Sequence, residues 1–433
     1  MPYTLFEEVS SYENLQSAWG RVRHSGLLSL SEKTRESIKA FDSVREAKLS
    51  EIMHQLQEGT FSFGTVRGAP VARPGKDPRP LVVPEIPARI VQRSILDTLQ
   101  RQDSISAFVN RPRSFGGLPK KSRADAIRCA CEAVAAGATY YVNSDIRGFF
   151  TQILRQEVLQ TVHQLLPDDS LTTLLDEATS IEISNVSEIE DYIHLFPEYD
   201  EGVAQGCCLS PLFGNIYMHN FDEIMNSQDV FTIRYIDDFL ILGPDRRTTE
   251  AAFGRARRLL ARLNLGAYLP ADGSGKASEG SVKRGFDFLG CTVTPNVVQP
   301  SRSARSHLLE RIKGKLNVAA RQLFRGSGGL AGQYEASLVE TLSLISRMIH
   351  AWTEQYKFCN PTNAFYSVDA KVDRLIGHYL KTFFKRYRKS RSTPEERRRM
   401  LGVWLAIDGS RDPILTCAKP QKHESLNKAS LHG

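Results

Sequence analysis

The sequence predicts an α+β fold in which helices at both ends of the chain flank a central sheet. Apolar residues recur at helical spacing through residues 12–58, beginning with Leu15 and Trp19. A second helical region covers 301–325 and 336–390. Short β-prone runs lie between these two regions, and no apolar run approaches the length of a membrane span.

Composition and charge indicate a globular protein with a polyanionic partner. The 433 residues, 41% of them hydrophobic, suffice for two or three domains. The net charge of +7 is unevenly distributed: Ser301 to Met400 contains 20 Lys and Arg against 8 Asp and Glu, which leaves this stretch at +12 and the remainder at −5. A basic C-terminal region of this kind is typical of nucleic-acid binding.

Two further features are an acidic segment in the middle of the chain and the pattern of its cysteines. Between Thr161 and Glu201 there are 11 acidic residues and no Lys or Arg, which favours an exposed helical insertion. The seven cysteines form no paired C-x-x-C set, and the N-terminus does not resemble a secretory leader. We therefore expect a soluble cytoplasmic protein with reduced thiols and no membrane partner.

The stretch from Thr232 to Leu242 predicts a hairpin with two acids at its turn, because short apolar runs flank Asp237 and Asp238. Adjacent carboxylates at the tip of a buried strand pair are costly unless cations neutralise them. Mg²⁺ prefers oxygen ligands and substrate phosphates, so a metal site is the functional interpretation and a surface turn is the alternative.

A second β-run, from Thr139, ends at Asp145 with Phe149 and Phe150 close behind. Asp145 and Asp237 are 92 positions apart and meet only if their strands are neighbours in one sheet. The sequence therefore predicts a shared sheet if the three acids act together.

Three loops have the composition of phosphate-binding segments. Arg73 to Pro84 is a turn-rich lead into a strand and contains Lys76 and Arg79; the helix after it places Arg89 and Arg93 on one face. A second loop combines glycines with cations, at Gly116, Gly117, Lys120 and Lys121. A third turn, Gln205-Gly206, precedes the Ser210-Pro211 start of an apolar helix.

Taken in order, these motifs resemble those of reverse transcriptases. The palm motifs are Asp145-x-x-x-Phe-Phe, Gln205-Gly-x-x-x-Ser-Pro, Tyr235-Ile-Asp-Asp, the loop residue Lys276 and Phe288-Leu-Gly. The segments around Arg79 and Phe115 are similar to the family's fingers. Residues 348–380 resemble the thumb of group II intron reverse transcriptases.

The resemblance implies a right-hand polymerase with fingers, an antiparallel-sheet palm with the Tyr-Ile-Asp-Asp hairpin, and a helical thumb. It divides the chain into an N-terminal helical extension (1–58), fingers (59–138), a palm (139–297, with the acidic insertion at about 161–201), a basic helical thumb (298–390) and a C-terminal tail (391–433). The segment from Lys385 to Arg399 is expected to be loosely ordered.

The resemblance also implies roles for individual residues. The catalytic residues would be Asp145, Asp237 and Asp238, which with Ile146 would hold two Mg²⁺ ions or Mn²⁺ in their place. Nucleotide contacts are expected from Lys76, Arg79, Phe149, Phe150, Gln205, Gly206 and Lys276, with Phe150 as the gate against a ribose 2′-OH. Nucleic-acid contacts are expected from Arg89, Arg93, Gly116, Gly117, Lys120, Lys121, Tyr235, Arg311, Lys313, Lys385, Arg386, Arg388 and Lys389.

The function so implied is RNA-directed DNA polymerisation, with dNTPs as substrates, a structured noncoding RNA as template and cDNA as product. Elimination among reverse transcriptase groups favours the compact bacterial enzymes of antiphage defence. The alternatives are a group II intron-like maturase and reverse transcriptase, a retron-type enzyme, and an RNA-binding splicing cofactor that does not need polymerase activity. An RNA-dependent RNA polymerase is disfavoured by Phe150.

Overall fold

A computed structural model describes residues 3–29, 31–73, 76–197, 201–226, 230–325, 337–389 and 393–403. The side chains of Arg73, Lys76, Asp77, residues 323–325 and Lys389 lie outside this description. The chain divides into two compact units, Met1–Val298 and Gln299–Gly433, and each is described by itself.

The first unit mixes helices and strands. Its helices are α1 (Leu5–Ser10), α2 (Tyr12–Leu27), α3 (Glu32–Ser43), α4 (Arg45–Gln57), α5 (Ile86–Arg101), α6 (Asp103–Val109), α7 (Arg123–Ala135), α8 (Phe149–Gln152), α9 (Arg155–Leu165), α10 (Thr172–Thr179), α11 (Ser210–Tyr217), α12 (His219–Asn226) and α13 (Arg246–Arg262). Its strands are β1 (Arg67–Arg73), β2 (Lys76–Val83), β3 (Ser114–Phe115), β4 (Tyr140–Arg147), β5 (Phe231–Tyr235), β6 (Asp238–Gly243), β7 (Gly266–Ala267), β8 (Ala277–Ser281), β9 (Phe286–Phe288) and β10 (Cys291–Val293). The α+β class predicted from the sequence is confirmed.

The predicted helical region at 12–58 forms three helices, because polar caps interrupt it. Ser11 accepts a hydrogen bond from the Asn14 N–H at the start of α2, and Ser31 caps α3 in the same way. Leu15, Trp19 and Val22 are buried, as their spacing predicts. This layer packs α2 against α5.

The central sheet has the order β3-β5-β6-β4-β7, and β8 also pairs with β4. In the antiparallel pair β4–β6, Asp145 lies opposite Asp238 and Ser144 lies opposite Phe239. The Phe239 ring stacks on Phe253 of α13, with 6.1 Å between ring centroids. Because side chains alternate between faces along a strand, α13 covers one face and both acids point to the other.

The acidic segment 161–201 is not the exposed insertion that its charge suggested. Leu174, Leu175, Ile189 and Phe196 are buried in the core of the first unit. Asn185 also exchanges hydrogen bonds with the backbone of Gly68 in β1, at 2.8 and 3.0 Å. Most of the described acids are exposed while the apolar residues pack inward, so charge count alone did not predict the burial of this segment.

The second unit is helical and has its own core. After β11 (Val298–Pro300) come α14 (Arg302–Arg325), α15 (Leu338–Tyr356), α16 (Asn363–Lys389) and α17 (Pro394–Leu401). Its core includes Ile312 from α14, Ile345 from α15 and Phe383 from α16. Within the described ranges, no helix is long and apolar enough to cross a bilayer.

The expectation of loose order from Lys385 to Arg399 is wrong for residues 385–389 and 393–399, while residues 390–392 lie outside the described part of the chain. α16 continues to Lys389, and α17 begins at a Thr393–Glu396 capping box. Met400 of α17 is 6% exposed within the core of the second unit. Because basic residues dominate this segment, its helical pattern and the burial of Met400 are not evident from the sequence.

Candidate active site

The candidate site is built around the β5–β6 hairpin. Its two-residue turn consists of Ile236 and Asp237, and Asp238 opens β6 directly opposite Asp145 of β4. The Ile146 N–H donates to the Asp237 carbonyl at 2.8 Å, which fastens the turn to β4. The shared sheet that the sequence required for the three acids is therefore present.

The acids are held in an environment that disfavours their charge. Burial is the largest cause that raises the pKa of Asp237, and the nearby charge of Asp145 adds to it. Burial, a hydrogen bond with Asp145 and the charges of Asp145 and Asp237 raise the pKa of Asp238 to about 9. A positive ion among the carboxylates would lower the free-energy cost of ionising them.

The donor set fits a hard divalent cation in its chemistry. Carboxylate oxygens are the ligands that Mg²⁺ prefers, and these acids are desolvated and mutually repulsive without a cation. The Ile146 side chain is buried and apolar, so only its backbone carbonyl is a possible ligand. Within the described residues, no group of three or more His, Cys, Asp and Glu side chains is placed so that it could hold a metal ion.

The turn itself is strained. Ile236 has a φ of +60°, a left-handed conformation that is costly for a β-branched side chain. Its N–H donates to the Phe115 carbonyl at 3.2 Å, and its carbonyl accepts from Arg234 Nη1 at 2.9 Å. The backbone that presents Asp237 is thus fixed from both sides.

Arg234 was not among the functional residues expected from the sequence. Its side chain is 1% exposed and forms an ion pair with Asp222, with Nε to Oδ1 at 2.7 Å. Arg234 Nη2 also donates to Asn215 Oδ1 at 2.9 Å, and Asn215 donates to the Gly116 carbonyl at 2.9 Å. The available signal was an arginine inside an apolar strand run, which predicts a paired buried charge.

The Gln205-Gly206 turn is joined to the edge of β2. The Val82 N–H donates to the Gln205 carbonyl at 2.7 Å. Gly206 has a φ of +122°, and a Cβ there would lie 2.5 Å from the Val82 carbonyl oxygen. Glycine is therefore required for this close approach.

Two cations predicted to contact a nucleotide lie beside the acids. The positive charges of Arg79 and Lys276 both lower the pKa of Asp237, against the larger effect of burial. Lys276 Nζ donates to the Tyr268 hydroxyl at 2.8 Å, and the Lys276 carbonyl accepts from the Asp145 N–H at 3.1 Å. Arg79 is exposed; the Lys76 side chain is outside the described residues.

The two phenylalanines after Asp145 differ in exposure. Phe149 is 3% exposed, and its ring occupies the space beside Gly214, where a Cβ would lie 2.8 Å from it. The ring is therefore part of the core and offers little surface, and the expected nucleotide contact at Phe149 stays a prediction. Phe150 is half-buried, and its carbonyl accepts from the Val203 N–H at 2.7 Å, close to Gln205 in the chain.

Residues 71–293 match the family described as reverse transcriptase (RNA-dependent DNA polymerase). The chain belongs to this family. The matched region contains both acid-bearing strands, the Gln205-Gly206 turn and the β9–β10 hairpin. The right-hand polymerase class expected from the motifs is that of the family, and reverse transcriptases generally use divalent metal ions.

Comparison with individual proteins gives partial coverage. The group II intron-encoded protein LtrA of Lactococcus lactis subsp. cremoris is 26% identical over 185 residues, which is 42% of this chain and 29% of LtrA. Protein YkfC of Escherichia coli (strain K12) is 27% identical over 154 residues, 35% of this chain and 38% of YkfC. The chain thus spans about a third of the length of these curated relatives.

A solved structure, the Cas6-RT-Cas1–Cas2 complex, matches at 14% identity over 88% of this chain and 51% of that chain, with a TM-score of 0.38.

In this member of the family, part of the glycine-rich loop has a structural role. A Cβ on Gly116 would lie 2.7 Å from the Ile236 side chain, and one on Gly117 would overlap Pro211. Lys121 Nζ donates to the carbonyls of Arg111 and Ser114. The Lys121 ammonium is therefore engaged inside the loop, and its expected nucleic-acid contact stays a prediction; Lys120 is exposed.

The two arginines expected to contact nucleic acid from α5, Arg89 and Arg93, differ in their partners. Arg93 Nη2 forms an ion pair with Asp97 at 2.7 Å, and the Asp97 side chain is 4% exposed. Arg89 is half-buried, and burial lowers its pKa. Of these two arginines, Arg93 is engaged by a carboxylate and Arg89 has no carboxylate partner within the described residues, and the expected nucleic-acid contact of Arg93 stays a prediction.

The remaining expected contacts keep an accessible surface. Tyr235 is half-buried beside Gly116 at the hairpin. In the second unit Arg311, Lys313, Lys385 and Arg388 are exposed, and Arg386 is half-buried. The Lys389 side chain is outside the described residues.

Proposed function

We propose that this protein is an RNA-directed DNA polymerase that extends a primer with dNTPs. The observation that supports it most is the placement of Asp145 opposite Asp238, with Asp237 at the adjoining turn, inside the region that matches reverse transcriptases. Phosphoryl transfer needs positioning and charge stabilisation more than covalent chemistry, and a rigid cluster of acids beside cations is suited to both.

Asp145, Asp237, Asp238 and the Ile146 carbonyl would hold two Mg²⁺ ions, or Mn²⁺ in their place. When bound, such ions stabilise the attacking and leaving oxygens of an in-line displacement. The protein's own contribution is to fix the carboxylates before substrate arrives. The raised pKa values of Asp237 and Asp238 support this assignment, because a cation favours the ionised carboxylates.

The nucleotide pocket is proposed to lie between β2, the Gln205-Gly206 turn and the acids. Arg79 and Lys276 would orient the triphosphate, and Lys276 would donate a proton to the departing pyrophosphate. Lys76 is proposed as a further triphosphate contact. Gln205 would line the incoming nucleotide, and the Phe150 ring would exclude a ribose 2′-OH.

The template is proposed to be a structured noncoding RNA, with cDNA as the product and antiphage defence in a bacterium as the setting. The RNA would contact Arg89, Lys120 and Tyr235 in the first unit and Arg311, Lys313, Lys385, Arg386, Arg388 and Lys389 in the second. The basic surplus from Ser301 to Met400 supports RNA binding there. Sequencing RNA and DNA that copurify with the protein tests the template and the setting.

A second candidate function is that of a group II intron-like maturase and reverse transcriptase. It is favoured by the 26% identity to a protein described as intron-encoded. The two candidates share the polymerase site and differ in the RNA, so an intron RNA among the copurifying species would favour the second. A retron-type enzyme is a further alternative that would use the same polymerase site. A splicing cofactor without polymerase activity is less well supported, because intact acids serve neither packing nor RNA contact.

The polymerase assignment is tested with Asp237→Asn and Asp238→Asn on a primed RNA with dNTPs and Mg²⁺. Loss of several kcal/mol of charge stabilisation at about 1.4 kcal/mol per decade predicts a fall in incorporation on the order of a thousandfold. Because each change removes a repelling buried carboxylate, the thermal midpoint should not fall.

The matched control is Asp169→Asn, which alters an exposed member of another adjacent acid pair. It should leave incorporation unchanged. Full incorporation by the Asp237→Asn/Asp238→Asn double variant would overturn the proposed site.

A further inference from the structure

The packing of α14 against α16 creates a basic cleft within the second unit. Arg302 and Arg305 line it from α14, and Lys371 lines it from α16. The hydroxyl-bearing side chains of Ser306 and Ser367 complete its polar wall. The space enclosed is about 220 Å³. We call this feature the α14–α16 cleft.

The cleft follows from helical spacing on two elements. Arg302, Arg305 and Ser306 are separated by three and four positions, so they share one face of α14 with Leu309. Ser367 and Lys371 are four apart on α16. Buried Val368 and half-buried Leu309 form an apolar floor that joins the core of the second unit.

The charges in the cleft are not balanced by the protein. Among the described residues, no acidic side chain lines it, and neither Arg302 nor Lys371 forms an ion pair. Three cations around one small space repel one another, and the positive end of the α14 dipole adds to this potential because Arg302 is its first residue. The arrangement is stabilised by an anion.

We propose that the α14–α16 cleft binds one phosphodiester group of a nucleic-acid backbone. Guanidinium and ammonium groups with nearby hydroxyls are the usual donors to phosphate oxygens. The volume is below the roughly 300–1,000 Å³ typical of pockets for whole small molecules, so the cleft suits a single phosphate better than a whole nucleotide. This inference rests on the proposed function and adds a defined contact outside the residues assigned above.

The test is a triple variant, Arg302→Gln, Arg305→Gln and Lys371→Gln, in the full chain. The probes are a 20-base-pair RNA duplex, the matching RNA–DNA hybrid and the matching DNA duplex, titrated by filter binding at several salt concentrations. Loss of one phosphate contact should reduce the slope of log affinity against log salt by about 0.7 to 0.9. The three probes distinguish RNA, hybrid and DNA as the source of the phosphate.

A control variant with three other substitutions distinguishes loss of the cleft cations from a general loss of positive charge. Lys315→Gln, Arg321→Gln and Arg347→Gln remove three exposed cations of the same unit that do not line the cleft. This control should keep the parental slope. Equal losses in the two triples for every probe would overturn the proposal, as would an unaltered slope in the cleft triple.

Two further measurements separate phosphate binding from altered folding and from the polymerase activity. A charge-conserving variant, Arg302→Lys with Arg305→Lys, should retain most of the slope; if it loses as much as the Gln triple, the loss comes from altered folding and the proposal is overturned. Incorporation of dNTPs is measured on the same preparations. If the salt slope of the parent falls in the cleft triple but the parent incorporates no dNTP, the proposed polymerase function would be overturned while phosphate binding by the cleft would stand.

Discussion

At the scale of single residues, Arg234 links stability to the geometry of the candidate site. Its guanidinium pairs with Asp222 and supports the carbonyl of Ile236, whose φ of +60° is strained. A residue in such a conformation persists only when its surroundings fix it, and strain of this kind costs about 1–3 kcal/mol. We therefore assign Arg234 a positioning role for the turn that presents Asp237.

Removing Arg234 alone should do two things. Arg234→Gln leaves Asp222 buried without its partner, and breaking a buried pair costs about 3–5 kcal/mol. The combination Arg234→Met with Asp222→Leu should recover much of this stability, because apolar replacement of a buried ion pair is often nearly neutral. The measurement is the free energy of unfolding by denaturant.

The Arg234→Met/Asp222→Leu variant also tests whether Arg234 acts on catalysis through stability or by positioning the turn. Because the Ile236 carbonyl lacks its hydrogen-bond donor in this variant, kcat should stay at least about tenfold below that of the parent, the equivalent of about 1.4 kcal/mol, while KM for dNTP changes little. Recovery of both stability and full kcat would mean that Arg234 acts through stability alone.

Phe150 provides the test of sugar selection. Phe150 is half-buried, follows Asp145 by five positions, and is joined by its carbonyl to the Val203 N–H in the segment that leads to Gln205. Phe150→Ala should raise the rNTP/dNTP incorporation ratio about tenfold or more, since a removed clash of about 1.4 kcal/mol corresponds to one decade. Phe149→Leu is the control, because its ring is core and should alter stability without altering the ratio. An unchanged ratio in Phe150→Ala would place the sugar gate elsewhere.

At the scale of elements, α16 shows how one helix combines packing with charge. Tyr379 and Phe383 are buried in the second unit, while Lys385 and Arg388, two and five residues after Phe383, are exposed. Since the helix continues to Lys389, these cations are held on an ordered surface and not on a loose tail. Ordered cations lose less entropy when they contact a phosphate backbone.

Neutralising this end of α16 should weaken RNA binding. Lys385→Gln, Arg386→Gln and Arg388→Gln remove cations proposed to contact RNA, and each contact contributes about 0.7 to 0.9 to the salt slope. Affinity for dNTP should change little, because the proposed triphosphate contacts are in the first unit. The measurement is filter binding of an RNA duplex across salt concentrations, and a parental slope would indicate a solvated surface without a role.

At the scale of the whole molecule, the two units have separate hydrophobic cores. The larger core draws its buried residues from the first unit, and the smaller one from α14 to α17. Units with independent cores are expected to unfold in separate transitions.

This organisation is tested by Ile312→Ala, which truncates a fully buried side chain of the second unit. A core substitution of this type costs about 2–5 kcal/mol. It should lower the unfolding midpoint of the second unit and leave that of the first, as followed by calorimetry and by limited proteolysis. Val318→Ala on the same helix is the control, because Val318 is 47% exposed. A single transition that shifts as a whole would contradict independent units.

The sequence by itself determined the family and the acid-bearing strands. Asp145, Asp237 and Asp238 stand in short β-prone runs, and their carboxylates need a cation wherever they are placed. The Gln205-Gly206 turn could also be predicted from the sequence, because a glycine shortly before a Ser-Pro helix start is a local pattern. These features depend on neighbours within a few positions, which is the range over which pattern and propensity are informative.

Only the tertiary structure decided which polar groups are engaged. Phe149 has the same local sequence context as its more accessible neighbour Phe150, yet packing against Gly214, far away in the chain, occupies its ring. Lys121 differs from its exposed neighbour Lys120 because it donates to the carbonyls of Arg111 and Ser114. The network of Arg234, Asp222 and Asn215 joins a strand to two helices, and the α14–α16 cleft joins helices separated by α15. Their function depends on contacts between residues far apart in the chain, and neither periodicity nor composition specifies which distant residues will meet.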